Sequence, residues 1–65
     1  MDIIANGRTL SIPSECTVTM LLQLLGYSNH VAVFINGNQL LMSEYESYKL
    51  KNQDSVKIIR PLSGG

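Results

Sequence analysis

The chain opens with the stretch that decides its fold, Asp2-Ile3-Ile4-Ala5-Asn6-Gly7-Arg8-Thr9-Leu10-Ser11-Ile12. An Asn-Gly pair between two β-rich runs predicts a hairpin, because both residues tolerate the positive φ of a type I′ turn. In the second run, apolar Leu10 and Ile12 alternate with polar residues, as in a half-buried strand. Pro13 ends that strand. We therefore expect an antiparallel hairpin of residues 2–5 and 8–12.

A helix is predicted after the hairpin. Thr17 is a suitable N-cap residue, and Gly26 is placed to end the helix in a left-handed conformation. Between them, apolar residues recur at i, i+3, i+4 and i+7 and so define one helical face, Val18, Leu21, Leu22 and Leu25. This face is expected to pack on the sheet.

Three further strands are predicted in the second half of the chain. Residues 30–35 are almost entirely apolar, as in a buried strand, and Asn36-Gly37 turns them into a short strand at 39–41. Residues 42–48 carry a weaker signal, in which Ser43 caps a single helical turn. Residues 52–54 then form a turn into an alternating strand, 55–60.

This order of elements predicts an α+β fold. The final strand is placed beside the first and parallel to it, because that closes a mixed sheet of four to five strands with one main helix across one face. The arrangement is the ubiquitin-like β-grasp. Residues 1–60 would form this domain, and residues 61–65 a flexible C-terminal Gly-Gly tail with nothing to pack it.

Composition excludes several classes of function. The 65 residues include five basic and five acidic side chains, so the charge that drives binding to nucleic acid or to a membrane surface is missing. The apolar stretch 18–25 is too short to span a bilayer and follows no basic signal-like segment. Cys16 stands alone, without a disulfide partner or metal-ligand companions. We expect a cytoplasmic protein.

The chain resembles the ThiS family of thiamine-biosynthesis sulfur carriers, within a wider group that includes ubiquitin. The resemblance covers the whole length and rests on ordered motifs: Ile3-Ile4 with Asn6, Thr17-Val18 with Leu21-Leu22 and Leu25, Val31-Ala32-Val33 with Ile35-Asn36, Ser43-Glu44-Tyr45, Asp54 and the terminal Gly64-Gly65. Family members usually carry Gly in the turn before the last strand, where this chain has Gln53. Asn52 is expected to take the positive φ there instead. Met20 and Leu24 also replace residues that are polar in many relatives.

The resemblance implies a carrier protein rather than an enzyme. A ThiF-like adenylating enzyme would use ATP to activate the terminal carboxylate of Gly65, and sulfur would then replace AMP to give a thiocarboxylate. Thiazole synthase (ThiG) would accept that sulfur. Gly64, Ser63 and Leu62 would form the tail that enters the activating enzyme, and the carrier itself would bind no cofactor.

Two alternatives stay open. The chain could carry sulfur for another pathway, such as molybdopterin or cysteine synthesis. It could instead be a ubiquitin-like interaction module that never carries sulfur. A neighbouring gene for an adenylating enzyme or a thiazole synthase would favour the carrier.

Strand alternation predicts a docking patch. If Ile3 faces the helix, Ile4 faces outward, and by the same rule Phe34 and Ile59 face outward from their strands. These three residues, with Arg60 beside the tail, are expected to dock a partner. Other candidates have structural interpretations: Cys16 as a small half-buried residue, His30 at a strand edge, and the three tyrosines at the rim of the core.

Overall fold

A computed structural model describes residues 1–61. It contains five strands, one α-helix and one 3₁₀ turn: β1 Asp2–Ala5, β2 Arg8–Ser11, α1 Val18–Leu25, β3 Ala32–Ile35, β4 Asn38–Gln39, the 3₁₀ turn Met42–Glu44 and β5 Ser55–Ile59. The strands lie in the order β2-β1-β5-β3-β4. β1 and β5 are parallel and every other pairing is antiparallel. The predicted β-grasp arrangement is confirmed, with five strands.

Local sequence signals account for the turns and the helix ends. Asn6 and Gly7 have φ of 49° and 82°, and Asn36 and Gly37 have φ of 51° and 86°, as two-residue type I′ turns require. The Thr17 hydroxyl accepts a hydrogen bond from the Met20 backbone N–H at 3.2 Å. Gly26 ends α1 with φ of 83°. The predicted caps are therefore confirmed.

The core lies between α1 and one face of the sheet. Side chains that alternate along the strands point to the helix. Tyr45 and Leu50, from the segment between β4 and β5, complete this core. The buried apolar residues are Ile3, Ile12, Cys16, Val18, Leu21, Leu22, Val31, Val33, Ile35, Tyr45, Leu50, Val56 and Ile58. Burial of these side chains is the main source of stability, because the chain has no disulfide.

Several predictions about this core were wrong in detail. Leu25 ends the helix and is more than a third exposed, so only the first three members of the predicted face are buried. Tyr45 is a core residue rather than a rim aromatic, and its hydroxyl donates to the Val31 carbonyl at 2.7 Å. Tyr27 and Tyr48 pack partly buried against the core. A buried phenol must find an acceptor, and Val31 supplies it.

Element boundaries also differ from the prediction. β3 begins at Ala32 rather than residue 30, because His30 is held in a local turn by its backbone N–H donating to the Ser28 hydroxyl at 3.3 Å. The 3₁₀ turn is capped by Glu44 rather than Ser43, since the Glu44 carboxylate accepts from the Leu41 N–H at 3.0 Å. The short strand after Asn36-Gly37 is shifted to residues 38–39.

Candidate carrier tail and docking surface

β5 carries the C-terminal end of the domain. It is the central strand of the sheet and pairs with β1 on one edge and with β3 on the other. Its last residue, Ile59, lies opposite Ala32 of β3. Pro61, two residues further on, is exposed. The predicted tail residues Leu62, Ser63, Gly64 and Gly65 lie outside the residues that the structure describes.

Two asparagine side chains hold β5 near its two ends. Near the start, the Asn36 side-chain oxygen accepts from the Ser55 N–H at 2.9 Å. Near the end, the Asn6 side-chain oxygen accepts from the Ile58 N–H at 2.8 Å, and its amide nitrogen donates to the Ile58 carbonyl at 3.3 Å. Both asparagines belong to the Asn-Gly turns, so each residue shapes a turn and also binds the central strand.

Asp54 fixes the turn that enters β5. Its side chain is buried, and one carboxylate oxygen accepts from the Asn36 side-chain amide at 2.9 Å. The other oxygen accepts from the Lys51 N–H at 2.8 Å. Since a buried carboxylate requires such donors, these bonds explain why Asp occupies this position.

The four residues predicted to form the docking patch do not lie together. Phe34 lies opposite Lys57 on β5, and Ile59 lies two residues further along the same strand and face. Ile4 lies opposite Ser55, four residues from Ile59, which is about 13 Å at the rise of an extended strand. Ile4 and Phe34 are partly buried, and Ile59 is exposed. The outward alternation is as expected, whereas Ile4 is separate from the other two.

Arg60 lies apart from this outer face. Its guanidinium carbon is 4.8 Å from the centroid of the Tyr27 ring, which follows α1 and packs against the core. This is a cation–π geometry, so the side chain stacks on the helix side of the sheet. The residue therefore anchors the chain beside the tail, and its predicted place with Ile4, Phe34 and Ile59 is corrected.

An apolar groove lies next to the end of β5. It has a volume of about 470 Å³ and its lining includes Leu40, Leu41, Met42, Ile59 and Pro61. Leu41 and Met42 are 66% and 52% exposed, although both are large and apolar. Sequence reasoning missed this part of the surface. The signal for it was the apolar run of residues 40–42, which directly follows the short strand β4.

Other chemically capable side chains do not form a site. Burial raises the pKa of the Cys16 thiol above its ordinary value, so at neutral pH the residue is a protonated thiol and a weak nucleophile. Within residues 1–61, no three His, Cys, Asp or Glu side chains lie close enough together to hold a metal ion. His30 is exposed and lines the groove.

Comparisons with known proteins agree with this geometry. The ThiS family model matches residues 2–65. The chain belongs to the ThiS family. No curated protein sequence matches it.

Two solved structures show the same fold as this ThiS-family chain. A crystal structure of a thiamine biosynthesis protein (ThiS) from Geobacter metallireducens has a TM-score of 0.84 and 28% identity, with all of both chains covered. An NMR structure of a thiamine biosynthesis protein from the same organism has a TM-score of 0.79 and 26% identity, covering all of this chain and 88% of that one. The ubiquitin-like β-grasp is thus shown, and family membership supports a sulfur-carrier role in thiamine biosynthesis.

In this ThiS chain, the residue with positive φ in the turn before β5 differs from the prediction. Gln53 itself takes the positive φ, at 71°, and Asn52 does not. The Asn52 side-chain oxygen accepts from the Asp2 N–H at 2.9 Å, and the Gln53 N–H donates to the Asp2 carbonyl at 2.6 Å. These contacts with β1 fix which residue turns. Gln is strained in this conformation, whereas Gly is not.

The part of the chain described by the structure has no helix that is long and apolar enough to cross a membrane.

Proposed function

We propose that this protein carries sulfur as a thiocarboxylate on the terminal carboxyl group of Gly65. The observation that supports this most directly is the position of β5 in a ThiS-family fold. The central strand ends at Ile59, and residues 60–65 follow it in the sequence. Six residues span at most about 20 Å when extended, which is sufficient to reach into a partner's cleft while the domain stays outside.

The proposed chemistry begins at a partner enzyme. A free carboxylate is ionised at neutral pH and is a poor electrophile, so it first needs a leaving group. In a ThiF-like enzyme, a Gly65 carboxylate oxygen attacks the α-phosphorus of ATP and pyrophosphate leaves. A sulfur nucleophile then attacks the acyl carbon, and AMP departs with that oxygen. The product is the thiocarboxylate, which donates its sulfur to thiazole synthase.

Glycine at the last two positions suits this delivery. Without a Cβ, Gly64 and Gly65 fit a narrow channel and can adopt conformations closed to other residues. Side-chain carboxylates on the body cannot replace the terminal one. Asp54, for example, is buried and bound to Asn36 and Lys51.

The proposed docking surface surrounds the start of the tail. For the tail to enter the adenylating enzyme, the surface around Pro61 must face that enzyme. On the described residues this surface contains Phe34, Ile59 and the exposed apolar pair Leu41 and Met42. Exposed apolar patches of this kind commonly mark protein–protein contacts.

Intact-mass measurement tests the proposal. The protein is incubated with ATP, a sulfide source and a ThiF-like enzyme, and loading appears as the mass increase of one oxygen replaced by sulfur. Cys16→Ser should load normally. A variant with one residue added after Gly65 should fail, because its carboxylate lies one residue too far along. Normal loading of the extended chain, or no loading of Cys16→Ser that is folded by circular dichroism, would contradict the terminal-carboxylate mechanism, because Cys16 is a core residue.

The same experiment separates the carrier from a plain interaction module. A module would bind a partner through the sheet and show no mass change with any activating enzyme. Loading by the enzyme followed by sulfur transfer to thiazole synthase would assign the thiamine pathway. Transfer only to a different acceptor would assign the carrier to another pathway.

A further inference from the structure

The two edges of β5 are paired in different ways near the tail. On the β3 edge, pairing continues to the end of the strand, where Ala32 lies opposite Ile59. On the β1 edge, the Asn6 N–H donates to the Val56 carbonyl at 2.9 Å, and there β1 turns away. The next step of the ladder is made by the Asn6 side chain, which both accepts from and donates to Ile58. The end of β5 is therefore held on both edges although β1 has ended, by Asn6 at Ile58 on one edge and by pairing of Ile59 with Ala32 on the other.

Asparagine has the properties that this position requires. Its side-chain amide presents one acceptor and two donors, so it can bind a backbone N–H and a carbonyl together. It also tolerates the positive φ of 49° that the turn imposes. Glycine would satisfy only the turn, and aspartate would supply an acceptor without the donor.

We propose that Asn6 is a positioning residue for sulfur loading. By holding Ile58, it fixes the end of β5 and so the position of Pro61, the first residue of the segment 61–65. The stack of Arg60 on Tyr27 restrains the residue that follows β5. This proposal rests on the proposed function, because the reacting carboxyl group is the far end of that segment. Misplacing a reacting group by about 1 Å can cost roughly 100-fold in rate.

Asn36 provides a matched control at the other end of the same strand. It occupies the equivalent position of the second Asn-Gly turn, with φ of 51° against 49° for Asn6. Its side chain also binds β5, but at Ser55, four residues before Ile59. Asn6→Gly and Asn36→Gly each keep the turn and remove the side chain that holds β5. They differ in which end of the strand is released, and Asn36→Gly also removes the donor to the Asp54 carboxylate.

The test compares loading and amide hydrogen exchange in the two variants of the full-length chain. Single-turnover loading by a ThiF-like enzyme is measured where both variants are folded by circular dichroism. Asn6→Gly should slow loading about tenfold and speed exchange of the Ile58 N–H. Asn36→Gly should load at the wild-type rate and speed exchange at Ser55. Equal slowing by both variants, or none by Asn6→Gly, would overturn the proposal.

A second variant covers the case in which Asn6→Gly does not fold. Asn6→Asp keeps the acceptor for the Ile58 N–H and loses the donor to the Ile58 carbonyl. It should leave exchange at Ile58 slow and loading intermediate between the wild type and Asn6→Gly, or about threefold below wild type. Loading of Asn6→Asp at the wild-type rate would overturn the proposal.

Failure of the proposed function can be distinguished from failure of this inference. If the wild-type chain does not load, the carrier mechanism is wrong, and the role of Asn6 in loading fails with it. Hydrogen exchange at Ile58 reports independently whether Asn6 holds the end of β5. Fast exchange in the wild-type chain would contradict that hold whatever the function.

Discussion

Ile58 and Ile59 are adjacent, identical in chemistry and opposite in role. Ile58 faces α1 and is 6% exposed, whereas Ile59 faces away from the helix and is 43% exposed. The same division runs across the sheet, since Val33 is buried and its neighbour Phe34 is only partly so. The comparison teaches that one face of the sheet stabilises the domain, while the other face and the end of β5 are available to a partner.

The largest difference is expected when each isoleucine is shortened in turn. Ile58→Ala should lower the free energy of unfolding by about 3 kcal/mol, because it leaves a cavity between sheet and helix. Ile59→Ala should cost less than about 1 kcal/mol, since much of that side chain is already in water. Urea denaturation measures both. Similar losses would mean that the two faces do not differ as described.

A charge at Ile59 tests the outer face as a docking surface. Ile59→Glu should weaken binding to a ThiF-like enzyme by about 2 kcal/mol, or roughly 30-fold, if the residue is a buried anchor of the interface. Thr9→Glu is the control, because Thr9 lies on the same face but on the edge strand β2, opposite Ile4. Titration calorimetry gives both affinities. Equal weakening would indicate a general charge effect rather than docking at this end of the sheet.

Gln53→Gly should change stability without changing sulfur loading. It removes the strain of a non-glycine residue at φ of 71° and should raise the free energy of unfolding by about 0.5 to 1 kcal/mol. Sulfur loading should be unchanged, because the turn lies at the opposite end of β5 from the tail. Asn52→Gly should instead lower stability, since it deletes the bond to Asp2. If Asn52→Gly stabilised the protein and Gln53→Gly did not, the positive φ would belong to Asn52 rather than to Gln53.

The smallest effect on stability is expected at the tail. Deleting Gly64 and Gly65 should change the free energy of unfolding by less than about 0.5 kcal/mol, because the core of the described residues is complete by Ile58. Loading should be abolished. Thermal unfolding and intact mass are the measurements. A large loss of stability would show that the tail packs on the body, and would weaken the carrier proposal.

Much of the fold could be predicted because its signals are local. The two Asn-Gly pairs, the Thr17 cap and Gly26 each act through residues at most a few positions away. Alternation along β5 is also local, and it placed Ile58 inside and Ile59 outside. The candidate site was only partly predictable. Phe34 and Ile59 were placed near each other, but Leu41 and Met42 of the neighbouring groove were missed.

The sequence by itself determined the two Asn-Gly turns, the helix with its caps and the alternation of inward and outward residues along β1, β3 and β5, because these depend on covalent geometry and short-range bonds. Only the tertiary structure decided that Gln53 rather than Asn52 turns, since Asp2 on β1 binds both. It also decided that Arg60 stacks on Tyr27. The bond between Asn6 and Ile58 joins residues 52 positions apart. Contacts at that separation exist only after the strands have assembled, so no local pattern encodes them.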